Sequence, residues 1–279
     1  MSFFQCGRYR FSLGEGVKCP LVMGILNITP DSFSDGGRYL VLGEAIRHAE
    51  QMIAEGVDII DIGGESTRPG SLPVPVQEEI DRVVPVVEAL KDCGKPLSID
   101  TNKPQVMRAV LDAGADMIND ICGFAVQGAM ETVADSTCGL CIMHMQGKPQ
   151  TMQDNPTYKD VFSEVTAFLK HQAAQLMAMG VASERITIDP GFGFGKSDID
   201  NITLLRGMNK MAHTLGFPVL AGLSRKGIIG RITGKPVGKR LAGNLAMALA
   251  ATQYGAKILR VHDVEETVDA LKIWCAVHE

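Results

Sequence analysis

Gly56-Val57-Asp58-Ile59-Ile60-Asp61 is the stretch whose reading decides the fold. A glycine and two lead-in residues precede an apolar run that ends in a carboxylate. The pattern returns as Gly114-Ala115-Asp116-Met117-Ile118-Asn119 and as Gly255-Ala256-Lys257-Ile258-Leu259-Arg260. Each glycine suits the left-handed turn that ends a helix. Each apolar run is short enough for a buried strand. The copies lie about 60 and 140 residues apart, roughly two and four strand–helix units of a barrel.

Working outward, further apolar runs occupy 21–26, 97–100, 138–143, 186–189 and 218–222. With 57–62, 116–119 and 257–261 they make eight. Helical spacing fills many gaps, as in Leu42 to Glu55, Gln77 to Lys91, Pro104 to Asp112, Tyr158 to Met179 and Leu241 to Tyr254. Strictly alternating strand and helix predicts a parallel sheet with crossover helices. Eight strands in this length fit a single closed (β/α)8 TIM barrel better than an open sheet. No domain boundary is visible, so residues 1–279 read as one domain. Residues 1–19 alternate aromatic and polar side chains between glycines and predict a small hairpin closing one barrel end. Pro85 falls inside a helical pattern, where a kink is expected.

Composition narrows the function. A formal net charge of −5 and the absence of basic runs argue against a nucleic-acid binder. No apolar run reaches the roughly 18–20 residues of a membrane span. The first ten residues lack a charged-then-apolar leader pattern. Seven cysteines are scattered along the chain. Cys138 and Cys141 have a metal-like spacing, but no second Cys/His pair completes a ligand set, and a buried strand explains them. A reducing, cytoplasmic setting is the default expectation.

The last residue of nearly every strand is polar: Asn27, Asp61, Asp100, Asn119, His144, Asp189, then Ser224 just past a strand, and Arg260 with His262. Unpaired burial of such groups is expensive. In a parallel α/β protein that end carries the chemistry. Asp100, Asn119 and Asp189 offer acceptors and an amide that suit a flat heterocycle bearing amide and amino groups. Arg68, Lys226, Arg260 and His262 bring donors and positive charge that suit phosphate or diphosphate. Asn27 could orient a phosphate-bound Mg²⁺, which takes few protein ligands. Bland readings compete at single positions: a helix cap at Asp100, a turn at Asp189, a core histidine at His144. They do not account for all of these groups mapping to one face.

Three loops add detail. Asn27-Ile28-Thr29-Pro30-Asp31-Ser32-Phe33-Ser34-Asp35-Gly36-Gly37 is longer than a connector needs to be. It reads as a lid that carries Phe33 and could pair Asp35 with Arg68. Gly191-Phe192-Gly193-Phe194-Gly195-Lys196-Ser197 is neither a dinucleotide fingerprint nor a P-loop, because its glycines miss both spacings. It reads as a tight rim loop with Phe194 as a stacking surface. Ser224-Arg225-Lys226 opens a helix whose amides favour an anion.

These motifs resemble the dihydropteroate synthase family of pterin-binding enzymes. The resemblance rests on the Asn27–Gly37 loop, Gly63-Gly64-Glu65-Ser66-Thr67-Arg68-Pro69-Gly70, Ser98-Ile99-Asp100-Thr101, Ile118-Asn119-Asp120, Met143-His144-Met145-Gln146-Gly147, Asp189-Pro190-Gly191, Ser224-Arg225-Lys226 and Arg260-Val261-His262-Asp263. It implies condensation of (7,8-dihydropterin-6-yl)methyl diphosphate with 4-aminobenzoate, giving 7,8-dihydropteroate and diphosphate in folate biosynthesis. It also implies Mg²⁺, a homodimer and inhibition by sulfonamides. Asp100, Asn119, Asp189 and Lys226 would hold the pterin. Asn27, Arg68, Arg260 and His262 would hold the diphosphate, with Asn27 at the metal. Phe33, Thr67, Pro69, Phe194, Ser224 and Lys226 would border aminobenzoate. An S_N1-like displacement is expected, because aminobenzoate is a weak nucleophile and a clamped diphosphate leaves readily. Asp100, Lys226, Arg260 and His262 would carry the catalysis. A corrinoid-dependent methyltransferase would share the acceptors without needing the Asn27 or Thr67–Arg68 loops. A silent pterin-binding paralogue would lack part of the diphosphate or aminobenzoate set.

Overall fold

The structure is a computed structural model that describes residues 3–14, 19–28, 37–66 and 70–278, with only the backbone of 37–40. It opens with an antiparallel hairpin of β1 (Phe3–Cys6) and β2 (Tyr9–Ser12). Eight parallel strands follow: β3 (Leu21–Asn27), β4 (Ile59–Gly63), β5 (Leu97–Asp100), β6 (Met117–Asp120), β7 (Gly139–Met143), β8 (Ile186–Asp189), β9 (Val219–Ala221) and β10 (Ala256–Val261). They run in chain order around a closed barrel, with β10 pairing back onto β3. The helices are α1 (Gly37–Ala54), α2 (Val76–Leu90), α3 (Pro104–Ala113), α4 (Ala129–Ala134), α5 (Val161–Ala178), α6 (Asp198–Leu215), α7 (Gly227–Thr233), α8 (Leu241–Gln253) and α9 (Val264–Val277). The barrel and hairpin agree with the sequence reading, and α2 runs through Pro85.

Local chemistry sets the helix ends. Gly56, Gly114 and Gly255 adopt φ of +95°, +114° and +91°, the left-handed turns that the repeated pattern requires. Pro104 opens α3, where its missing N–H costs nothing. Ser197 and Asp200 cap α6 reciprocally.

Strand parity divides the core. Side chains pointing outward, such as Leu26, Ile60, Ile62, Ile99, Ile118, Ile142 and Ile188, pack with the helices in one large cluster. Side chains pointing inward form two layers. The lower layer joins Met23, Ile59, Met117, Cys141, Leu220 and Ile258 to Phe4, Cys6 and Leu13 of the hairpin segment. The hairpin thus plugs the amino-terminal mouth. Arg8 pins it by donating from Nε to Asp116 Oδ1 at 2.9 Å. The upper inward layer is polar. Pairing register sets Asn27 beside Gly63, Gly63 beside Asp100, and Asp100 beside Asn119. One level lower, Asp61 lies beside Ser98.

The cysteines do not all remain thiols. Cys19 and Cys275 form a disulfide with Cα atoms 6.0 Å apart, tying the approach to β3 onto α9. Cys138 and Cys141 are free and buried in the barrel wall. Among the described residues no helix is long and apolar enough to cross a membrane.

Candidate active site

The carboxyl ends of the strands bring Asp61, Asp100, Asn119, Asp189 and Arg260 into one cluster. Arg260, on β10, donates from Nε to Asp61 Oδ2 at 2.6 Å and from a terminal nitrogen to Asp100 Oδ2 at 2.9 Å. The third guanidinium nitrogen has no protein hydrogen bond among the described residues. Burial opposes the Arg260 charge, yet Asp61 and Asp100 outweigh it and hold the group firmly protonated. Asp100 is no helix cap, since Lys103 takes that position for α3.

Asp100 Oδ1 is buried and has no hydrogen-bond partner. Such an atom asks for a donor. Burial pushes the Asp100 carboxyl up to about 7; Arg260 opposes the shift, while Asp61, Glu79 and Asp120 add to it. Beside it, Asn119 donates from Nδ2 to Asp61 Oδ2 at 3.3 Å. One of its two amide N–H donors is therefore committed, and its Oδ1 is left to meet a ligand as an acceptor. Asp120, next on β6, faces away from this site. Its two oxygens accept from the N–H groups of Cys122 and Phe124, and burial raises it to about 7.

Asp189 Oδ1 accepts the Gly191 N–H at 2.7 Å, so the turn reading is correct for one oxygen. The carboxylate is raised by burial, then lowered by that bond, Lys226, Lys196 and Arg260. Lys226 ends the Ser224-Arg225-Lys226 segment as the N-cap of α7, which the sequence placed there. Its Nζ lies 4.0 Å from the centroid of the Phe194 ring, a cation–π contact. Burial brings Lys226 down to about 8 against the pull of Asp189, with Arg260 lowering it further.

Phe194 is held by the glycine-rich rim loop. Gly191, Gly193 and Gly195 all have positive φ. A Cβ on Gly191 would sit 1.8 Å from His144 O, and one on Gly195 2.4 Å from Gln146 O. The loop thus lies directly on the chain leaving β7, where only glycine fits. Lys196 is the hidden member: 1% exposed, it donates to His144 Nδ1 at 3.0 Å, His144 O at 3.2 Å and Phe194 O at 3.0 Å. Burial lowers Lys196 to about 7. Burial likewise lowers His144 to about 3, with Lys196 adding to it, so this histidine is neutral and structural. Nothing in the sequence singles this lysine out, because it stands in the glycine-rich rim loop as an ordinary loop residue.

Across the mouth, His262 Nδ1 lies 3.1 Å from Ser224 Oγ, which joins the two strand ends. Asn27 closes β3 with its Oδ1 over the Cα side of Gly63, where a Cβ would come within 3.3 Å. Phe33, Thr67, Arg68 and Pro69, and the lid at 29–36 with Asp35, lie outside the described residues. The ends of the second loop are described. Glu65 Oε2 accepts the Val74 N–H and the Lys103 ammonium, each at 2.6 Å, stapling entry to exit. Lys103 also pairs with Glu79, which is 1% exposed. Gly70 N–H reaches Pro149 O at 3.3 Å, joining this loop to the one after β7.

The site therefore sets acceptors that require a donor edge beside cations suited to an oxyanion. A family model described as pterin binding enzyme matches residues 23–262. The dihydropteroate synthase of Haemophilus influenzae is 50% identical over 260 residues, 92% of this chain and 94% of that one. The Burkholderia cenocepacia dihydropteroate synthase complexed with 7,8-dihydropteroate has TM-score 0.89 and 51% identity, covering 99% of this chain and 96% of that one. The Xanthomonas albilineans dihydropteroate synthase with 4-aminobenzoic acid has TM-score 0.90 and 48% identity, covering 99% and 98%.

Proposed function

This chain belongs to the pterin-binding enzyme family, and we propose that its barrel mouth carries out the dihydropteroate synthase reaction. The enzyme is a transferase that condenses (7,8-dihydropterin-6-yl)methyl diphosphate with 4-aminobenzoate, giving 7,8-dihydropteroate and diphosphate. The observation that carries this reading is the buried, donor-seeking Asp100 Oδ1, one carboxyl group away from the Arg260 guanidinium. A ligand that presents N–H groups and a diphosphate together satisfies both.

In this reading Asp100, Asn119 and Asp189 accept from the N–H edge of the pterin, and Lys226 donates to it. Arg260 and His262 bind the diphosphate, and Arg68 is assigned there from the sequence resemblance. Phe194 and Ser224 border aminobenzoate, with Phe33, Thr67 and Pro69 assigned to the same pocket. The C–O bond to diphosphate breaks first, and the pterin ring stabilises the methylene cation. Ionised Asp100 favours that cation electrostatically. The arylamine nitrogen then forms the new C–N bond and gives up its proton to solvent. Clamping the leaving group accounts for the rate without a strong base, and none stands in this set.

Asn27 fits a Mg²⁺ that arrives with the diphosphate. Its amide oxygen is a hard ligand at the strand end, and among the described residues no group of three or more acidic, His or Cys side chains could hold a metal alone. The ion supplies charge neutralisation on the departing diphosphate.

Homodimerisation is part of the same reading. Ile232, Val237 and Leu241 are 65%, 54% and 41% exposed and lie on or beside α7 and α8. Helix α8 is rich in Leu, Met and Ala on its exposed as well as its buried faces. An apolar surface of that kind fits a second copy of the chain. The activity is tested by mixing both substrates with Mg²⁺ and following diphosphate release. Release that depends on aminobenzoate supports the reading. Tight pterin binding without release would replace it with a silent paralogue.

A further inference from the structure

Asp61 sits one level beneath the groups that meet substrate. It is completely buried. Its Oδ1 accepts from Ser98 Oγ at 2.7 Å, and its Oδ2 accepts from Arg260 Nε at 2.6 Å and from Asn119 Nδ2 at 3.3 Å. Register explains the first contact, since Asp61 and Ser98 are paired neighbours on β4 and β5. The other two reach β6 and β10, so this carboxylate gathers four strands at one point.

The bonds have directional consequences. Fixing Arg260 through Nε leaves its terminal nitrogens for Asp100 and for an oxyanion. Fixing Asn119 through Nδ2 offers its Oδ1, an acceptor, to the ligand. A neutral apolar residue at 61 would free the Asn119 amide to flip and the guanidinium to rotate. Both subsites would lose orientation together, although Asp61 touches neither ligand.

We propose that Asp61 is a positioning residue, whose single buried carboxylate orients the diphosphate-binding guanidinium of Arg260 and the pterin-binding amide of Asn119 in one frame. The proposal rests on the substrate assignment made above. Asp61 also acts on Asp100 by charge. The charged groups that act on Asp100 are Arg260 on β10, Asp61 on β4, Glu79 on α2 and, from the outer side of the barrel wall, Asp120 on β6. Asp61 is among those that raise its carboxyl, so removing the charge at 61 lowers it.

The test reads the two halves of the substrate separately by calorimetry, using a dihydropterin alcohol without diphosphate and inorganic diphosphate with Mg²⁺. Asp61→Ala weakens each by about tenfold or more, the scale of one charge-assisted hydrogen bond. Asn119→Ala weakens only the pterin, and Arg260→Ala only the diphosphate. Asp61→Asn keeps an acceptor for both groups, so it restores binding while shifting the acid limb of kcat/KM to lower pH. Should Asp61→Ala fail to fold, the Asn variant decides, through retained binding and a shifted limb. Loss of only one half-ligand, loss of neither in a folded protein, or an acid limb unmoved in Asp61→Asn would each overturn the proposal. A wild-type protein that binds both halves but releases no diphosphate would instead overturn the reaction assignment and leave Asp61 testable.

Discussion

Asp100→Asn separates the chemistry of the site from its contribution to folding. In the wild-type protein one Asp100 oxygen accepts from Arg260 at 2.9 Å and the other waits for a donor. Asparagine has one acceptor oxygen and must turn an NH₂ toward either Arg260 or the pterin edge. One charge-assisted hydrogen bond is lost, worth about 1.5–3 kcal/mol, and the opposed donor adds roughly 1–3 kcal/mol. A total of about 3–5 kcal/mol corresponds to a fall in kcat/KM of roughly two to four orders of magnitude. The pH profile adds a second readout. With its carboxyl pushed up to about 7, Asp100 loses its charge as pH falls through that value, and kcat/KM of the wild type falls with it. Asparagine does not titrate, so that limb disappears. Stability should move the opposite way. A carboxyl whose folded value exceeds its unfolded one contributes stability below about 4, and that contribution is lost as pH rises through about 7. The Asn variant should be at least as stable as wild type at about pH 8 while far less active. The assay is the initial rate of aminobenzoate-dependent diphosphate release between about pH 5.5 and 9, with urea unfolding at each end. A variant that keeps wild-type kcat/KM at the upper end, or keeps the acid limb, refutes the assignment of Asp100.

Lys226→Gln should abolish the alkaline limb of the same profile, because Lys226, brought down to about 8 by burial, discharges as pH rises through that value; an unchanged limb in steady-state rates would assign it to another group. Lys103→Met removes the ammonium between Glu65 and nearly inaccessible Glu79. Breaking one side of a buried ion set costs about 3–5 kcal/mol, which a urea titration reads as a lower midpoint at constant slope. Phe4→Ala should cost about 3–5 kcal/mol and leave KM for both substrates unchanged, since Phe4 lies in the lower layer; altered KM values would mean that the hairpin communicates with the mouth.

The barrel was legible because each repeated unit carries its own punctuation. Gly56, Gly114 and Gly255 mark where a helix must reverse by a left-handed residue, and their positive φ angles bear this out. The polar strand ends were legible because Asp61, Asp100, Asn119 and Arg260 interrupt runs of Ile, Leu and Val. Which of them touch was not. Arg260 and Asp61 stand almost two hundred residues apart, and only barrel closure, β10 against β3, brings them together. Cys19 and Cys275 were hidden in the same way. Lys196 looked like part of a loop because a lysine beside glycines reads as solvated. Its burial depends on two carbonyls and an imidazole that come from elsewhere in the fold.

Strand parity ties these observations to function. Along β4 and β6 the inward positions pass from apolar at the bottom to polar at the top. Ile59 gives way to Asp61, and Met117 to Asn119. The lower layer is sealed by the hairpin and supplies hydrophobic stabilisation without polar demand. The upper layer holds groups against their intrinsic preference: Asp100 raised, Lys226 and Lys196 lowered, all by burial first. Such groups weaken an empty protein and strengthen its hold on a ligand that repairs them, because the same desolvation that strains them amplifies their bonds to substrate. A ligand that offered only donors would satisfy Asp100 and leave the Arg260 guanidinium without its third bond. One that offered only an oxyanion would leave Asp100 Oδ1 unpaired. A pterin joined to a diphosphate meets both demands, and cleaving that junction is the reaction.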